Sequence, residues 1–450
     1  MKSLDLNSTY KVKCLSINNY AKGVSKIDGM LVFIDDFYPD EEAIIKITKV
    51  FKNYAYAKVI EYLSKSPHRI SDECDHSHDA GSCPFNNISL EYENFLKSQM
   101  VKSNIERQIN EPLDEIEVLY TEPLKGFRNK VTVFFKNDYT FGYFIEGTHE
   151  IVKVDSCVQI ESNILKVIND SLSLLKENKV EIYNYKYKNG IVKGISIRRS
   201  SYNNLMSVMF LVSKDDFRLS NISKELKELN PNITGISLSI NKDDSTIVYS
   251  NKEKVLYGYP FITEKILDNL FEIPNQSFLQ VNTSGASLLY SEAIKMANLS
   301  KSDTVLDLYC GAGGISLSLS KYVKEVIGVE IVESAIKSAN RNKEINNIKN
   351  VSFYCDDASN FKNLLGSKKI DVLFVDPPRS GLSNNALVEI ISLNINKIVY
   401  VSCDSYTLAR DLKLFKAAGY NIKDIKCVNM FLRSKHVETI IGLYRKSEKK

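Results

Sequence analysis

From about residue 276 onward, short apolar runs alternate with stretches of helical periodicity. The apolar runs occupy residues 304–308, 326–329, 351–354, 372–375 and 397–401. Parallel strands need a long crossover, and a helix between successive strands supplies it. The pattern therefore predicts a doubly wound, Rossmann-like α/β domain over residues 276–450. A chain of 450 residues exceeds one ordinary core, so we expect further domains before it.

The first 275 residues carry two other patterns. Residues 8–62 show short runs of alternating polarity, broken at turn residues such as Gly23, which predicts a small all-β barrel over residues 1–63. Lysines and tyrosines interleave at 49–56, a composition that suits RNA and equally suits the solvated rim of a barrel. Residues 64–275 mix strand patterns such as 130–135 with helical ones such as 90–109, which predicts a central α+β domain.

Composition limits the cellular setting more than the function. The 59 basic and 55 acidic residues give a net charge of +4, which neither requires nor excludes nucleic acid. No apolar run approaches the roughly 20 residues of a membrane span, and the start of the chain does not resemble a signal peptide. We therefore expect no membrane partner and a cytoplasmic location, in which the eight cysteines do not form a disulfide framework.

The first strand of the C-terminal domain runs into a glycine-rich turn that contains Gly311. Glycines at such a turn let the backbone approach a ligand closely. A dinucleotide-binding fingerprint needs glycine at position 316, which is Ser316. The next strand ends at Glu330, whose carboxylate can accept both ribose hydroxyls, and Asp357 follows the third strand. Acceptors at successive strand ends favour S-adenosylmethionine over NAD, although each acid alone is equally explained as a helix cap.

Cys403 follows the fifth strand and Asp376 follows the fourth, so both belong to the edge where open α/β sheets bind ligands. Position alone leaves open whether Cys403 is a nucleophile. A thiolate that adds to carbon 6 of uracil makes carbon 5 able to attack a methyl sulfonium. A base must then remove the proton from carbon 5. Glu438, at the start of the last apolar strand, is a candidate for that base, and a surface glutamate is the alternative.

At these residues the chain resembles the RNA uracil-5 methyltransferase family, which acts on 23S ribosomal RNA and tRNA, and the resemblance runs through nearly its whole length. The matching segments are 276–282 (QSFLQVN), 307–313 (DLYCGAG), 329–330 (VE), 376–379 (DPPR), 402–404 (SCD) and 436–439 (HVET). The resemblance implies that Cys403 is the nucleophile and Glu438 the base. It implies cofactor contacts from Gln280, Tyr309 and Asp376, in addition to Gly311, Glu330 and Asp357. Ser405 and Leu432 stand where the family usually has proline.

The N-terminal segment is similar to a TRAM domain, an OB-like RNA-binding barrel, through residues 38–41 (YPDE) and 66–69 (SPHR). This similarity points to 23S ribosomal RNA, because the tRNA branch of the family typically lacks the domain. Residues 127–130 (FRNK) resemble a segment that meets RNA. Arg128 and Lys130 are therefore expected to contact phosphates, with a structural role in a strand as the alternative. A monomer suits the multidomain design.

The family often carries four cysteines that hold a [4Fe-4S] cluster. Here Cys74 and Cys83 fit the first and third positions and Cys157 the fourth, while the second falls on Ala80. Three interpretations stay open. The protein holds a cluster with a non-cysteine or open fourth site, it has lost the cluster, or it binds zinc through cysteine and histidine, since His76 and His78 lie in the same segment.

Two rival functions make different predictions about the same residues. A 5-methylcytosine RNA methyltransferase would show a second cysteine directly after a proline in the loop of the fourth strand, and residues 376–379 have none. A non-catalytic RNA-binding factor would be expected to have lost Cys403, Glu438 or the glycine turn, and all three are present.

Overall fold

The computed structural model describes residues 4–72, 74, 83–145, 148–242, 249–250, 252–366 and 368–445. Four β-sheets account for the strands in these ranges, with six, seven, two and eight members. Helices pack on the seven-stranded and eight-stranded sheets. None of the helices in the described ranges combines the length and the apolar character that a bilayer crossing requires.

The N-terminal six-stranded sheet has the order β1-β5-β6-β4-β3-β2 and is antiparallel except between β4 and β6. Its strands are β1 (Thr9–Lys13), β2 (Ser16–Ile17), β3 (Gly23–Ile27), β4 (Met30–Ile34), β5 (Glu42–Val50) and β6 (Tyr54–Ser64). Alternate side chains of β4 are buried and exposed, the period of two that the sequence predicts. The inward residues form a core of their own around Val32, Ile34, Phe37 and Ile45.

The seven-stranded sheet has the order β10-β9-β8-β11-β12-β13-β14, with one parallel pair, β12 and β13. Its strands are β8 (Lys130–Phe135), β9 (Phe141–Phe144), β10 (Ile151–Lys153), β11 (Val192–Arg199), β12 (Met206–Val212), β13 (Ile233–Ile240) and β14 (Glu253–Gly258). Helices α2 (Ser162–Glu177) and α3 (Arg218–Leu229) cover one face. A hairpin of β15 (Phe261–Ile266) and β16 (Asn269–Pro274) follows.

The C-terminal eight-stranded sheet has the order β19-β18-β17-β20-β21-β23-β22-β7. Its strands are β7 (Glu117–Leu119), β17 (Thr304–Leu308), β18 (Glu325–Glu330), β19 (Val351–Cys355), β20 (Val372–Val375), β21 (Lys397–Ser402), β22 (Tyr420–Val428) and β23 (Glu438–Arg445). The five strands from β19 to β21 run parallel. This confirms the predicted doubly wound parallel sheet.

Both faces of this sheet are covered by helices. Leu306 faces one layer and the adjacent Val305 faces the other. The helices of the C-terminal part are α4 (Thr283–Ala297), α5 (Gly314–Leu319), α6 (Glu333–Ile345), α7 (Lys362–Leu365), α8 (Asn384–Ser392) and α9 (Ser405–Ala417). Strands covered on both faces are buried along their whole length, as β17 and β20 are. β20 is entirely apolar, whereas β17 includes Thr304 and Asp307.

Helix α1 (Leu90–Ile109) matches its predicted range. Its N-cap Ser89 accepts a hydrogen bond from the Tyr92 amide, and Asn110 ends it in the left-handed conformation. Met100, Val101 and Ile105 of α1 pack into the core of the C-terminal sheet, and β7 pairs with β22 at its edge. Two elements of residues 64–275, predicted as a central domain, therefore belong with the C-terminal sheet: α1 packs on it and β7 is a strand at its edge. The domain boundaries stay a prediction.

Candidate active site

The predicted catalytic residues Cys403 and Glu438 and the predicted cofactor residue Asp376 come from three neighbouring strands of the C-terminal sheet. Cys403 directly follows β21, Asp376 directly follows β20, and Glu438 is the first residue of β23. β21 pairs antiparallel with β23, with Ser402 opposite Thr439. Because an antiparallel strand reverses direction, the start of β23 lies beside the end of β21. The pairing therefore brings Glu438 next to Cys403.

The backbone around Cys403 is held by its neighbours on both sides. Ser402 Oγ donates to the Asp404 carbonyl at 3.0 Å. Asp404 is the N-cap of α9, and its carboxylate accepts from the amides of Tyr406 and Thr407, both at 3.0 Å. Cys403 is consequently fixed between a strand end and a capped helix start, half-buried, where its thiol can meet a substrate.

Two carboxyl groups near Cys403 have a raised pKa. Burial, reinforced by Asp376, raises the pKa of Glu438 to about 8. Burial raises the pKa of Asp376 to about 7. Only 2% of Glu438 is exposed, and its Oε2 has no hydrogen-bond partner. A buried carboxyl with an open oxygen and a pKa near neutrality has the properties of a general base.

The same surroundings act on the thiol. Burial first, and then the charges of Glu438 and Asp376, raise the pKa of Cys403 to about 12, whereas Arg379 opposes the shift. The thiol therefore keeps its proton in the free protein, and a thiol in this state needs a neighbouring base before its sulfur can act as a nucleophile. Glu438 and Asp376 are the carboxyl groups whose charges act on it.

Arg379 and His436 form a contact that the sequence alone did not indicate. Arg379 Nη2 lies 3.2 Å from His436 Nε2. Burial and the Arg379 charge lower the pKa of His436 to about 4, so the imidazole is neutral near pH 7. His436 therefore cannot supply a positive charge, whereas the charge of Arg379 acts to lower the pKa of both the Cys403 thiol and Glu438.

A cavity of about 450 Å³ lies at the carboxyl ends of β17, β18 and β19. Tyr309, Glu330, Asp357 and Ser380 are among its lining residues. The Glu330 carboxylate accepts from the Gly311 amide at 3.2 Å and from the Val332 amide at 3.0 Å. These bonds fix its direction and leave each oxygen able to accept another hydrogen, which suits a pair of ribose hydroxyls.

The glycine turn leaves room for a ligand. Tyr309 and Gly311 both have positive φ, 65° and 53°, and a Cβ added at Gly311 would meet nothing within 4 Å. A non-glycine residue such as Tyr309 rarely has positive φ, and the cases that occur are concentrated at functional sites such as ligand-binding turns. The open space and the oriented carboxylate together fit a nucleoside such as that of S-adenosylmethionine.

An acid and a tyrosine have roles that sequence reasoning missed. Asp307 is fully buried inside β17, where Ser316 Oγ donates to its carboxylate. This bond also explains serine at the position where a dinucleotide fingerprint has glycine. Burial first, and then the charges of Asp376, Asp307 and Glu438, raise the pKa of the Tyr290 phenol in α4. The available signal in the sequence was that Tyr290 occupies a position of the helix α4 that faces the sheet.

The remaining predicted cofactor residue, Gln280, is 8% exposed and precedes α4. Its carbonyl accepts from Asn129 Nδ2 at 3.0 Å. Asn129 lies between Arg128 and Lys130, so the segment predicted to meet RNA contacts the segment predicted to meet the cofactor. Arg128 Nε is buried without a hydrogen-bond partner, and Lys130 Nζ lies 4.5 Å from the centre of the Tyr249 ring.

The three cysteines of the predicted metal site lie near one another but do not form a ligand set. Cys74 Sγ is 3.9 Å from the Ser156 carbonyl, and Gln159 Nε2 donates to Cys83 Sγ at 3.1 Å. Cys157 packs against the core of the seven-stranded sheet. Within the described ranges, no three cysteine, histidine or acidic side chains are arranged to hold a metal. Residues 75–82, with His76, His78 and Ala80, lie outside those ranges.

Comparison with known proteins shows which family this chain is similar to. The family model described as tRNA (uracil-5-)-methyltransferase matches residues 99–446. An RNA methyltransferase of Streptococcus agalactiae is 32% identical over 98% of this chain and 100% of its own. Another from Oceanobacillus iheyensis is 33% identical over 97% of this chain and 96% of its own.

A solved structure gives the same result at the level of the fold. The crystal structure of Pyrococcus abyssi tRNA (uracil-54, C5)-methyltransferase in complex with S-adenosyl-L-homocysteine aligns with a TM-score of 0.77, at 24% identity. The alignment covers 97% of this chain and 100% of the archaeal one. The fold is that of an S-adenosylmethionine-dependent RNA methyltransferase. The chain belongs to the tRNA (uracil-5-)-methyltransferase family.

Proposed function

We propose that this protein transfers a methyl group from S-adenosylmethionine to carbon 5 of a uridine in RNA, through a covalent bond between Cys403 and the uracil. One observation carries the proposal. The half-buried Cys403 thiol stands beside the buried carboxyl of Glu438 and the half-buried carboxyl of Asp376, both of raised pKa, at the sheet edge that also holds the cavity of Glu330. When bound there, S-adenosylmethionine supplies a methyl group on a sulfonium, which leaves as a neutral thioether.

In the first half of the reaction, Cys403 attacks the uracil ring. The thiol gives its proton to a neighbouring carboxylate, and sulfur forms a bond to carbon 6. The electrons of the double bond between carbons 5 and 6 move towards the carbonyl at carbon 4. Carbon 5 then takes the methyl group. Arg379 is proposed to stabilise negative charge at this stage, because its charge acts to lower the pKa of both the thiol and Glu438.

In the second half, Glu438 removes the proton from carbon 5. The double bond forms again, the bond between sulfur and carbon 6 breaks, and Cys403 leaves as a thiolate. Oε2 of Glu438 has no protein partner, so this oxygen is available to the substrate. Cys403 and Glu438 are therefore the proposed catalytic residues, and Gln280, Tyr309, Gly311, Glu330, Asp357 and Asp376 the proposed cofactor residues.

For the target we propose 23S ribosomal RNA, with tRNA as the second candidate. The proposal of 23S ribosomal RNA assumes that the N-terminal sheet is a TRAM-like, OB-like RNA-binding barrel over residues 1–63. Its aromatic patch supports RNA binding, since the Phe51 and Tyr54 rings stack with centroids 4.8 Å apart. The second is favoured by the archaeal tRNA enzyme, because its alignment takes in most of residues 1–63. An N-terminal sheet therefore does not by itself select ribosomal RNA.

The other parts of the proposal concern the central segment. Arg128, whose buried Nε is unpaired, and Lys130 are proposed phosphate contacts within a central RNA-binding domain, residues 64–275, that precedes the catalytic domain, residues 276–450. Cys74, Cys83 and Cys157 take no part in the proposed reaction. Iron, sulfide and zinc analysis of anaerobically purified protein separates a [4Fe-4S] cluster, a zinc site and a metal-free protein.

The decisive experiment is deletion of the gene followed by mapping of 5-methyluridine in ribosomal RNA and tRNA. We expect the loss of 5-methyluridine from 23S ribosomal RNA, restored by the wild-type gene and not by the Cys403→Ala gene. Loss of a tRNA methyl group with unchanged ribosomal RNA would transfer the proposal to the second candidate. Unchanged 5-methyluridine in both RNAs would refute the proposed activity.

A further inference from the structure

A turn of the N-terminal sheet, residues 18–22, is fixed against the rest of the molecule. We call it the Asn18 turn. Asn18 Oδ1 accepts from the amides of Tyr20 at 2.9 Å and Lys22 at 3.0 Å, and its backbone pairs with Lys22 and Ala21. Ala21 is 3% exposed and belongs to a small apolar cluster with Tyr92 and Leu96 of α1. The turn therefore has little freedom to move.

A hydrogen-bonded bridge connects the Asn18 turn to the nucleophile. Asn104 Nδ2 of α1 lies 2.8 Å from Asn19 Oδ1 and 2.8 Å from Ser405 Oγ. Asn104 is 9% exposed. Ser405 is two residues beyond Cys403 and begins α9. One buried amide thus joins the N-terminal sheet to the helix that positions the thiol, across 301 positions of sequence between Asn104 and Ser405.

Exposed aromatic rings stand on both sides of this bridge. Tyr20, next to Asn19, is 65% exposed, and Tyr406, next to Ser405, is 58% exposed. Lys435 Nζ lies 4.7 Å from the centre of the Tyr20 ring, and Lys435 immediately precedes His436 in the loop that leads to Glu438. Tyr20 is consequently a large exposed ring, rigidly presented and accompanied by a positive charge, at the rim of the catalytic site.

We propose that Tyr20 is a stacking platform for an RNA base next to the target uridine, with Lys435 meeting the adjacent phosphate. The inference rests on the proposed function, because it assumes that RNA enters beside Cys403. An exposed aromatic ring offers a base a face, and a lysine beside it complements the charge of the backbone. The rigidity of the Asn18 turn means that little conformational freedom is lost when a base stacks.

The test compares steady-state methylation by wild-type, Tyr20→Ala and Tyr20→Phe proteins, with in vitro transcribed 23S ribosomal RNA and transcribed tRNA as probes. We expect Tyr20→Ala to raise KM for the substrate RNA between about 5-fold and about 150-fold, the range for loss of one stacked base. The maximal rate and KM for S-adenosylmethionine should stay within twofold of wild type. Tyr20→Phe keeps the ring and should restore KM for RNA.

The matched control is Tyr322→Ala. Tyr322 also carries a lysine over its ring, Lys321 at 5.2 Å, but it lies before β18, at the opposite edge of the sheet from Cys403. An unchanged KM for RNA in Tyr20→Ala, or an equal rise in Tyr322→Ala, would overturn the inference. A fall in the maximal rate of Tyr20→Ala with an unchanged KM for RNA would also overturn the inference. A wild-type protein that methylates neither RNA would refute the proposed function itself, and the inference with it.

Discussion

The pKa of Glu438 gives a quantitative prediction for the pH dependence of the reaction. The raised pKa, about 8, means that the carboxyl is mostly neutral below pH 8 and cannot accept the proton from carbon 5. About 1% of the groups are ionised at pH 6 and about half at pH 8. The rate of product formation should therefore rise roughly fiftyfold between these two values. The raised pKa of Cys403 acts in the same direction.

The assay is single-turnover transfer of a radiolabelled methyl group to RNA at saturating enzyme, from pH 6 to pH 9. Glu438→Gln removes the base and keeps the shape of the side chain, so the methylated RNA should stay attached to Cys403. A denaturing gel that resolves protein from RNA detects this adduct. Release of free methylated RNA by the variant should be slower than in wild type by about 10² to 10⁴.

Stability supplies an independent check on the same group. An acid whose pKa is raised by folding contributes stability that is complete below its unfolded pKa and is lost as pH rises through the folded pKa. For Glu438 that window runs from about 4.5 to about 8. The melting temperature of Glu438→Gln relative to wild type should therefore increase from pH 5 to pH 8. A flat rate profile together with a pH-independent melting difference would refute the assigned pKa.

Three further variants test other parts of the molecule. Cys403→Ala should abolish methylation while S-adenosylhomocysteine binds as in wild type by calorimetry; residual turnover would exclude Cys403 as nucleophile. Glu330→Gln should raise KM for S-adenosylmethionine about 10- to 150-fold, since a charged acceptor for ribose is lost, whereas Glu333→Gln, whose side chain is 73% exposed, should not. Arg69→Met breaks an ion pair with the fully buried Glu41 and should lower the free energy of unfolding by about 3 to 5 kcal/mol in urea. Lys11→Met, at the exposed ion pair with Glu42, should lower the free energy of unfolding by less than about 1 kcal/mol. An equal loss of stability in Arg69→Met and Lys11→Met would contradict this reasoning.

Local sequence patterns predicted the elements well. The range of α1 was predicted from periodicity, and those of β17 and β20 from short apolar runs. Local pattern has no information about which distant strands pair. β23 pairs antiparallel with β21, and this long-range pairing places Glu438 near Cys403.

The electrostatic part of the site was less accessible to sequence reasoning. The burial of Asp307 inside β17 could not be predicted, because its partner Ser316 comes from the helix after the turn. The contact between Arg379 and His436 depends on two loops meeting in space. Such contacts follow from packing, which has no short-range signature.

The strand β7 has a consequence for how the catalytic part can be produced. A protein cut before residue 276 would lose β7, and β22 would then present unpaired backbone groups along its edge. It would also lose α1, which leaves Leu408, Leu412 and other apolar side chains of the sheet layer in water. Such a fragment should aggregate on expression. A fragment that keeps residues 90–119 through a linker should remain dispersed, which light scattering can measure.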